Sequence, residues 1–162
     1  MMATRSRPWN RTILMLGLLT LSLLAGCTIP GLGGQAAFSV APAHKDVAYA
    51  DASSTQKLDL YLPAGAGPFP VIVNIHGGGF KLGDKGMVDD ASGKAFLAAG
   101  YAIASIDYRL SGEAKFPAAV LDAKAAVRFL RANAAKYNLN PDKVVAFGQS
   151  AGGNIASMLG TT

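Results

Sequence analysis

Between a basic start and a Gly/Ala/Pro-rich stretch stands one apolar block, residues 13–25, and periodic patterning begins only near His44. Residues 46–50 read as a first strand and Asp51-Ala52-Ser53-Ser54 as a turn. Lys57-Leu58-Asp59-Leu60-Tyr61-Leu62 alternates polar and apolar, as a half-buried strand does. These two strands predict an antiparallel hairpin at the edge of a sheet. Residues 71–75, 101–106 and 144–147 differ. They are nearly continuous apolar runs, as strands buried on both faces of a parallel sheet show. Helical spacing lies between and after them. Residues 92–99 form a short candidate helix closed by Gly100. Residues 117–136 form the clearest one, with Val120, Leu121, Val127, Phe129, Leu130 and Ala134 at three- and four-residue intervals and Pro117 in its first turn. Asp122 near its start and Arg128, Arg131 and Lys136 towards its end complement the helix dipole. A third helix is expected over 151–159. The order is strand, strand, strand, helix, strand, helix, strand, helix. That is the α/β class: a mostly parallel sheet with an antiparallel N-terminal edge and helices on both faces.

At 162 residues the chain has room for one domain at most. Arg5, Arg7 and Arg11, the apolar block and the small residue Gly26 have the composition of a secretory signal. The block is too short to span a bilayer comfortably. The net charge of +5 falls to +2 without those three arginines (12 Lys+Arg against 10 Asp+Glu), and no basic cluster remains, so nothing points to nucleic acid. Cys27 is the single cysteine and cannot form an internal disulfide. Leu24-Ala25-Gly26-Cys27 resembles the lipobox of bacterial lipoproteins. That resemblance implies a signal peptide over 1–26, lipidation of Cys27, and anchoring to a membrane facing the periplasm or cell exterior. An ordinary signal peptide, or an uncleaved anchor with an incidental cysteine, is the alternative. Residues 27–43 then read as a flexible tether and 44–162 as the domain, which holds no internal repeat.

Two glycine-rich turns carry the candidate chemistry. Gly148-Gln149-Ser150-Ala151-Gly152, followed by Gly153, separates an apolar run from a helical stretch. A Gly-x-Ser-x-Gly between strand and helix is a nucleophile elbow: the serine sits on a strained turn and its glycine neighbours avoid collision. His76-Gly77-Gly78-Gly79-Phe80 directly follows the 71–75 run. Backbone N–H groups exposed by such a glycine run can stabilise the oxyanion of a tetrahedral intermediate. The expected donors are Ala151, after the nucleophile, with Gly78 or Gly79. His76 is read as bracing this loop rather than acting as a base, and His44 as exposed. Gln149 holds the variable position of the elbow.

From Leu58 onward the chain resembles the α/β-hydrolase esterases with a His-Gly-Gly-Gly oxyanion motif. The bacterial feruloyl-esterase-like (BD-FAE) and acetylesterase group is nearest, with hormone-sensitive-lipase-like esterases as the wider circle. The resemblance rests on residues 58–63, 76–80, Asp107-Tyr108-Arg109-Leu110, Phe116-Pro117-Ala118-Ala119 leading to Asp122, and 148–153. It implies an ester hydrolase acting through an acyl-enzyme on Ser150, on a small-molecule ester, with no metal or organic cofactor. Asp107 and Arg109 resemble a structural pair of the family, and Asp122 is read as a helix-terminus charge or a partner for Arg109.

Ser-then-acid-then-His is the chain order of the triad in this fold. None of the residues after Ser150 is Asp, Glu or His. The expectation is an N-terminal portion of a longer hydrolase, or a truncated product, inactive by itself and with its last strand left at a sheet edge. A serine peptidase of prolyl-oligopeptidase type and a non-catalytic lipid-anchored binding module remain as alternatives.

Overall fold

The computed structural model describes residues 38–161. The signal segment and Cys27 lie outside them. Five strands and three helices follow in the expected order: β1 (His44–Ala48), β2 (Lys57–Tyr61), β3 (Phe69–Ile75), α1 (Asp90–Ala98), β4 (Ala102–Ile106), α2 (Ala118–Ala132), β5 (Leu139–Gly148) and α3 (Ala151–Thr161). The sheet order is β1-β2-β4-β3-β5. β1 runs antiparallel to β2, and β2 to β4, whereas β3 is parallel to both β4 and β5. The class and the antiparallel N-terminal edge are as the sequence predicts.

The hairpin is not wholly at the edge. β2 has a neighbour on each side and is buried from Leu58 to Tyr61. Its alternation still has a physical meaning. Leu58 and Leu60 join the main core, while Tyr61 joins a smaller cluster with Val88 and Ile103 on the other face. Asp59, only 5 % exposed, points to that second face. It tolerates burial because the Asp46 N–H donates to Oδ1 at 2.7 Å and Lys85 Nζ lies 3.8 Å from Oδ2. The last residues of the expected tether also rest on this face. Phe38 meets Tyr61 edge to face at 5.0 Å, and the Ser39 N–H donates to Asp90 at 3.0 Å.

The helices cover the sheet unequally. α1 starts where the Asp89 carboxylate accepts the Ser92 N–H at 2.8 Å, two residues before the predicted start. α2 buries Val120, Ala123, Ala126 and Leu130 at helical spacing. Leu121, expected on that face, is instead 51 % exposed. The alanines take its place because a helix approaches a sheet most closely through small side chains. α2 also stops four residues short of the prediction, where the Asn133 side chain and backbone N–H both donate to the Phe129 carbonyl.

β5 begins earlier than its apolar run, and residues 140–143 bulge out between the Phe69–Leu139 and Val71–Val144 pairs. Within the bulge Asn140 accepts the Asp142 N–H at 3.0 Å, so the Asn-Pro-Asp turn is there inside the strand. β5 is also not buried on both faces. Val144 and Ala146 face the main core, but Val145 and Phe147 are 53 % and 41 % exposed, with the Phe147 ring meeting Phe96 edge to face at 5.3 Å. Among the described residues β5 ends the sheet.

Candidate active site

The parallel strands β3, β4 and β5 deliver the loops after them to one end of the sheet, the end where α/β folds bind ligands. Ser150 stands there, directly after β5. Its φ of +54° is a left-handed conformation that non-glycine residues rarely adopt, and its side chain is exposed. Strain of order 1–3 kcal/mol at such a residue is held in place by its surroundings. Here the neighbours are backbone. A Cβ on Gly152 would lie 1.9 Å from the Ile75 carbonyl oxygen and 2.7 Å from that of His76. A Cβ on Gly148 would lie 2.4 Å from the Gly152 carbonyl carbon. Both elbow glycines therefore let the first turn of α3 close onto the end of β3. Gly153 and the exposed Gln149 flank this contact.

The glycine run after β3 meets the elbow directly. A Cβ on Gly77 would stand 3.0 Å from the Gln149 carbonyl oxygen and 3.5 Å from the Ser150 Cβ. Gly78 turns sharply at φ +111°, and its carbonyl accepts the N–H groups of Lys81 and Leu82 at 3.0 and 3.2 Å. Gly79, at φ +61°, borders open space. Ala151, 5 % exposed, is the first residue of α3, so its N–H has no acceptor within the helix and lies at the positive end of the helix dipole. Ser150, Gly77–Gly79 and Ala151 are thus brought together.

His76 is 3 % exposed. Its Nδ1 lies 2.7 Å from the Gly77 carbonyl oxygen, an acceptor only, so that nitrogen carries the proton. Its ring stacks on Tyr108 at 4.3 Å, and the Tyr108 hydroxyl donates to the His76 carbonyl at 3.0 Å. His44 is far from the elbow. It pairs with Leu60 and its ring meets Tyr137, ahead of the start of β5, edge to face at 4.9 Å. It is half-buried there rather than exposed.

Two charged clusters hold the loops, and they divide the Asp107–Arg109 pairing that the motif suggests. Arg109 donates from Nε and one Nη to Asp122, which is 1 % exposed and also accepts the Arg109 N–H and the Gln56 amide. Burial pushes the Asp122 carboxyl up, but these donors outweigh it and hold its pKa below the ordinary value. Asp107 serves another segment: its Oδ1 accepts the Lys85 N–H at 2.6 Å, with Lys85 Nζ 3.7 Å from Oδ2. Burial raises the Asp107 pKa despite Lys85. Lys85 Nζ reaches Asp46 at 2.8 Å; burial pulls its pKa down, and the three carboxylates more than reverse that. The Lys85 carbonyl accepts the Ser105 hydroxyl, and Asn74 donates to Ser105 and to the Met87 carbonyl. The segment after the glycine run is therefore pinned at 85 and 87. The sequence reading quoted Tyr108 in the Asp107–Leu110 motif without a role of its own and did not single out Lys85. For Tyr108 the available signal was its place beside Asp107 and Arg109; for Lys85 there was none.

This fold is that of the α/β-hydrolase esterases. The BD-FAE family model matches residues 58–162, and the chain belongs to that family. It is 38 % identical over 90 residues to carboxylesterase NlhH of Mycobacterium tuberculosis, covering 56 % of this chain and 28 % of that protein. It is also similar to two solved structures. One is a truncated form of a carbohydrate esterase from gut microbiota, at 37 % identity and TM-score 0.70, over 74 % of this chain and 43 % of that one. The other is a bifunctional GH43-CE protein of Bacteroides eggerthii, at 43 % identity and TM-score 0.69, over 74 % of this chain and 16 % of that one. The chain spans less than half the length of each of these relatives.

Proposed function

We propose that the protein is a serine carboxylesterase whose nucleophile is Ser150. The observation that carries this reading is the contact of the glycine run with the strained serine: Gly77 backbone against Ser150, at the N-terminus of α3. Ser150 Oγ attacks the ester carbonyl and gives its proton to a base. The carbonyl oxygen becomes an oxyanion held by the N–H of Ala151 and those of Gly78 and Gly79. Collapse expels the alcohol, which takes the proton back, and leaves an acyl-enzyme that water then hydrolyses. The chain has two histidines: the His44 ring meets Tyr137 ahead of β5, and the His76 Nδ1 is held by the Gly77 carbonyl. The base and its orienting acid are therefore assigned to polypeptide outside these 162 residues. The likeness to a solved carbohydrate esterase favours an ester on a carbohydrate as the substrate class. The Leu24-Ala25-Gly26-Cys27 sequence adds export and a lipid anchor at Cys27 to the proposal; metabolic labelling with a fatty-acid probe, lost in Cys27→Ser, tests that part.

Hydrolysis is tested on the protein expressed from its genomic reading frame, with p-nitrophenyl acetate and an acetylated sugar as substrates. Release of acetate from both, abolished in Ser150→Ala, is the expected result. Turnover that survives Ser150→Ala overturns the proposal.

A further inference from the structure

The glycine run is backed by the residues that follow it. The Gly78 carbonyl accepts the N–H groups of Lys81 and Leu82, and a Cβ on Gly78 would lie 2.0 Å from the Leu82 carbonyl oxygen. A Cβ on Gly83 would lie 2.5 Å from His76 Nδ1 and 2.8 Å from the Gly77 carbonyl oxygen. Backbone at 81–83 therefore rests directly on residues 76–78. Two residues further on, Lys85 ties this wall to three other segments. Its N–H donates to Asp107 Oδ1 at 2.6 Å, and its carbonyl accepts the Ser105 hydroxyl at 2.7 Å, both at the end of β4. Its Nζ lies 2.8 Å from Asp46 in β1, 3.8 Å from Asp59 in β2 and 3.7 Å from Asp107.

We propose that Lys85 is a positioning residue for ester hydrolysis: its ammonium group holds residues 81–85 against the glycine run and so keeps Gly78 and Gly79 aimed at the oxyanion. It acts through that backbone and not on the ester itself. The inference rests on the reading of Ser150 as nucleophile and of the glycine run as its oxyanion loop. Charge balance carries it. Among the described residues Lys85 is the only ion-pair partner of Asp46, Asp59 and Asp107. Asp59 is 5 % exposed and Asp107 is half-buried. Without the ammonium, three carboxylates face one another, two of them largely removed from water, and a buried charge stripped of its partner is strongly unfavourable. Asp107 relieves this by moving or by taking up a proton, and either change weakens its bond to the Lys85 N–H. The wall at 81–83 then loses its anchor to β4. An oxyanion donor works within about 2.7–3.1 Å of the oxygen that becomes charged, and a misplacement of about 1 Å costs on the order of a hundredfold in rate. Contacts with the ground-state ester are untouched, so the loss falls on kcat rather than KM.

The test compares Lys85→Ala, Lys85→Arg and Asp46→Asn with wild type on p-nitrophenyl acetate, each as protein expressed from its genomic reading frame. Lys85→Ala is expected to lower kcat about tenfold or more while KM changes less than about threefold. Propylammonium replaces the atoms this substitution deletes, and a cleft of about 680 Å³ bordered by Pro42, Lys45, Asp59 and Lys85 admits it. Added propylammonium is expected to restore part of kcat, and tetramethylammonium, which has no N–H, is not. Lys85→Arg keeps the charge and is expected to retain more activity than Lys85→Ala. Asp46→Asn decides the question if Lys85→Ala fails to fold, because the Asp46 side chain is 51 % exposed and asparagine suits the φ of +53° there. It is expected to lower kcat about threefold at unchanged KM. The exposed Lys94–Asp90 pair is the control, with Asp90→Asn leaving both constants within about twofold of wild type. A folded Lys85→Ala with wild-type kcat, or Asp46→Asn with wild-type kcat where Lys85→Ala does not fold, overturns the inference. So does a loss carried by KM, or a kcat that neither Lys85→Arg nor propylammonium raises above that of Lys85→Ala. Each of these leaves the esterase intact. A wild-type protein that cleaves no ester, or whose activity survives Ser150→Ala, overturns the Ser150 reading itself, and this inference with it.

Discussion

Tyr108 lies flat on the imidazole of His76, ring centroids 4.3 Å apart, and its hydroxyl donates to the carbonyl oxygen of that same residue. The residue two positions beyond β4 thereby fixes the start of the glycine run after β3, both by a ring face and by a hydrogen bond. Burial pushes the Tyr108 pKa up to about 12, so the donor keeps its proton across the neutral range. Tyr108→Phe keeps the stack and leaves a buried carbonyl unpaired. It is expected to cost about 1 kcal/mol of stability and to lower kcat more than it changes KM, because the oxyanion loop is loosened while substrate contacts remain. Thermal melting together with steady-state kinetics checks this; an unchanged kcat would remove Tyr108 from the positioning of the loop.

The elbow glycines separate space from conformation. Gly152→Ala drives a methyl group to within 1.9 Å of the Ile75 carbonyl oxygen, and backbone must move to admit it. The expected outcome is loss of soluble, cooperatively melting protein. Gly160→Ala, in the same helix but bordering open space, is expected to raise stability by up to about 1 kcal/mol. Circular dichroism melts of the two variants check the contrast.

Asp122 makes acid stability depend on one pair. Its pKa in the folded protein lies below the ordinary carboxylate value of about 3.9. A carboxylate lowered in this way contributes stability above that value and loses it as the pH falls through the folded-state pKa. Asp122→Asn is expected to cost about 3 kcal/mol at pH 7, by leaving Arg109 without its counter-ion. The gap from wild type should shrink steadily below about pH 4. Urea melts at pH 7, 4 and 3 measure it, and a gap that stays constant with pH would show that the charge of Asp122 is not what stabilises the loop.

The same residues show what was legible in the sequence. Continuous apolar runs gave β3 and β4, and the two glycine turns, each placed after such a run, located the loops that meet at Ser150. Local chemistry was readable because it is local: an Asx turn at Asn140 holds even within a strand. Burial set by distant partners was not readable. Asp122 looks like a helix-terminus charge until Arg109 and Gln56 are seen around it, and Lys85 looks like a surface residue until Asp46 and Asp107 close on it. Leu121 misled for the converse reason, since helix periodicity shows a stripe of apolar residues but not that alanines form the closest contact. The exposed face of β5 was equally hidden. Its apolar run implies cover on both sides, and among the described residues only one side has it.

In the proposed reaction Ser150 carries the acyl group. Protein from the genomic reading frame, quenched in acid within milliseconds of mixing with p-nitrophenyl butyrate and digested with trypsin, tests it by mass spectrometry. Cleavage after Lys143 yields a peptide beginning at Val144 that contains Ser150. A butyryl adduct on Ser150 in that peptide, absent in Ser150→Ala, is the expected result. Butyrate release without an adduct on Ser150, or an adduct on another residue that persists in Ser150→Ala, would contradict it.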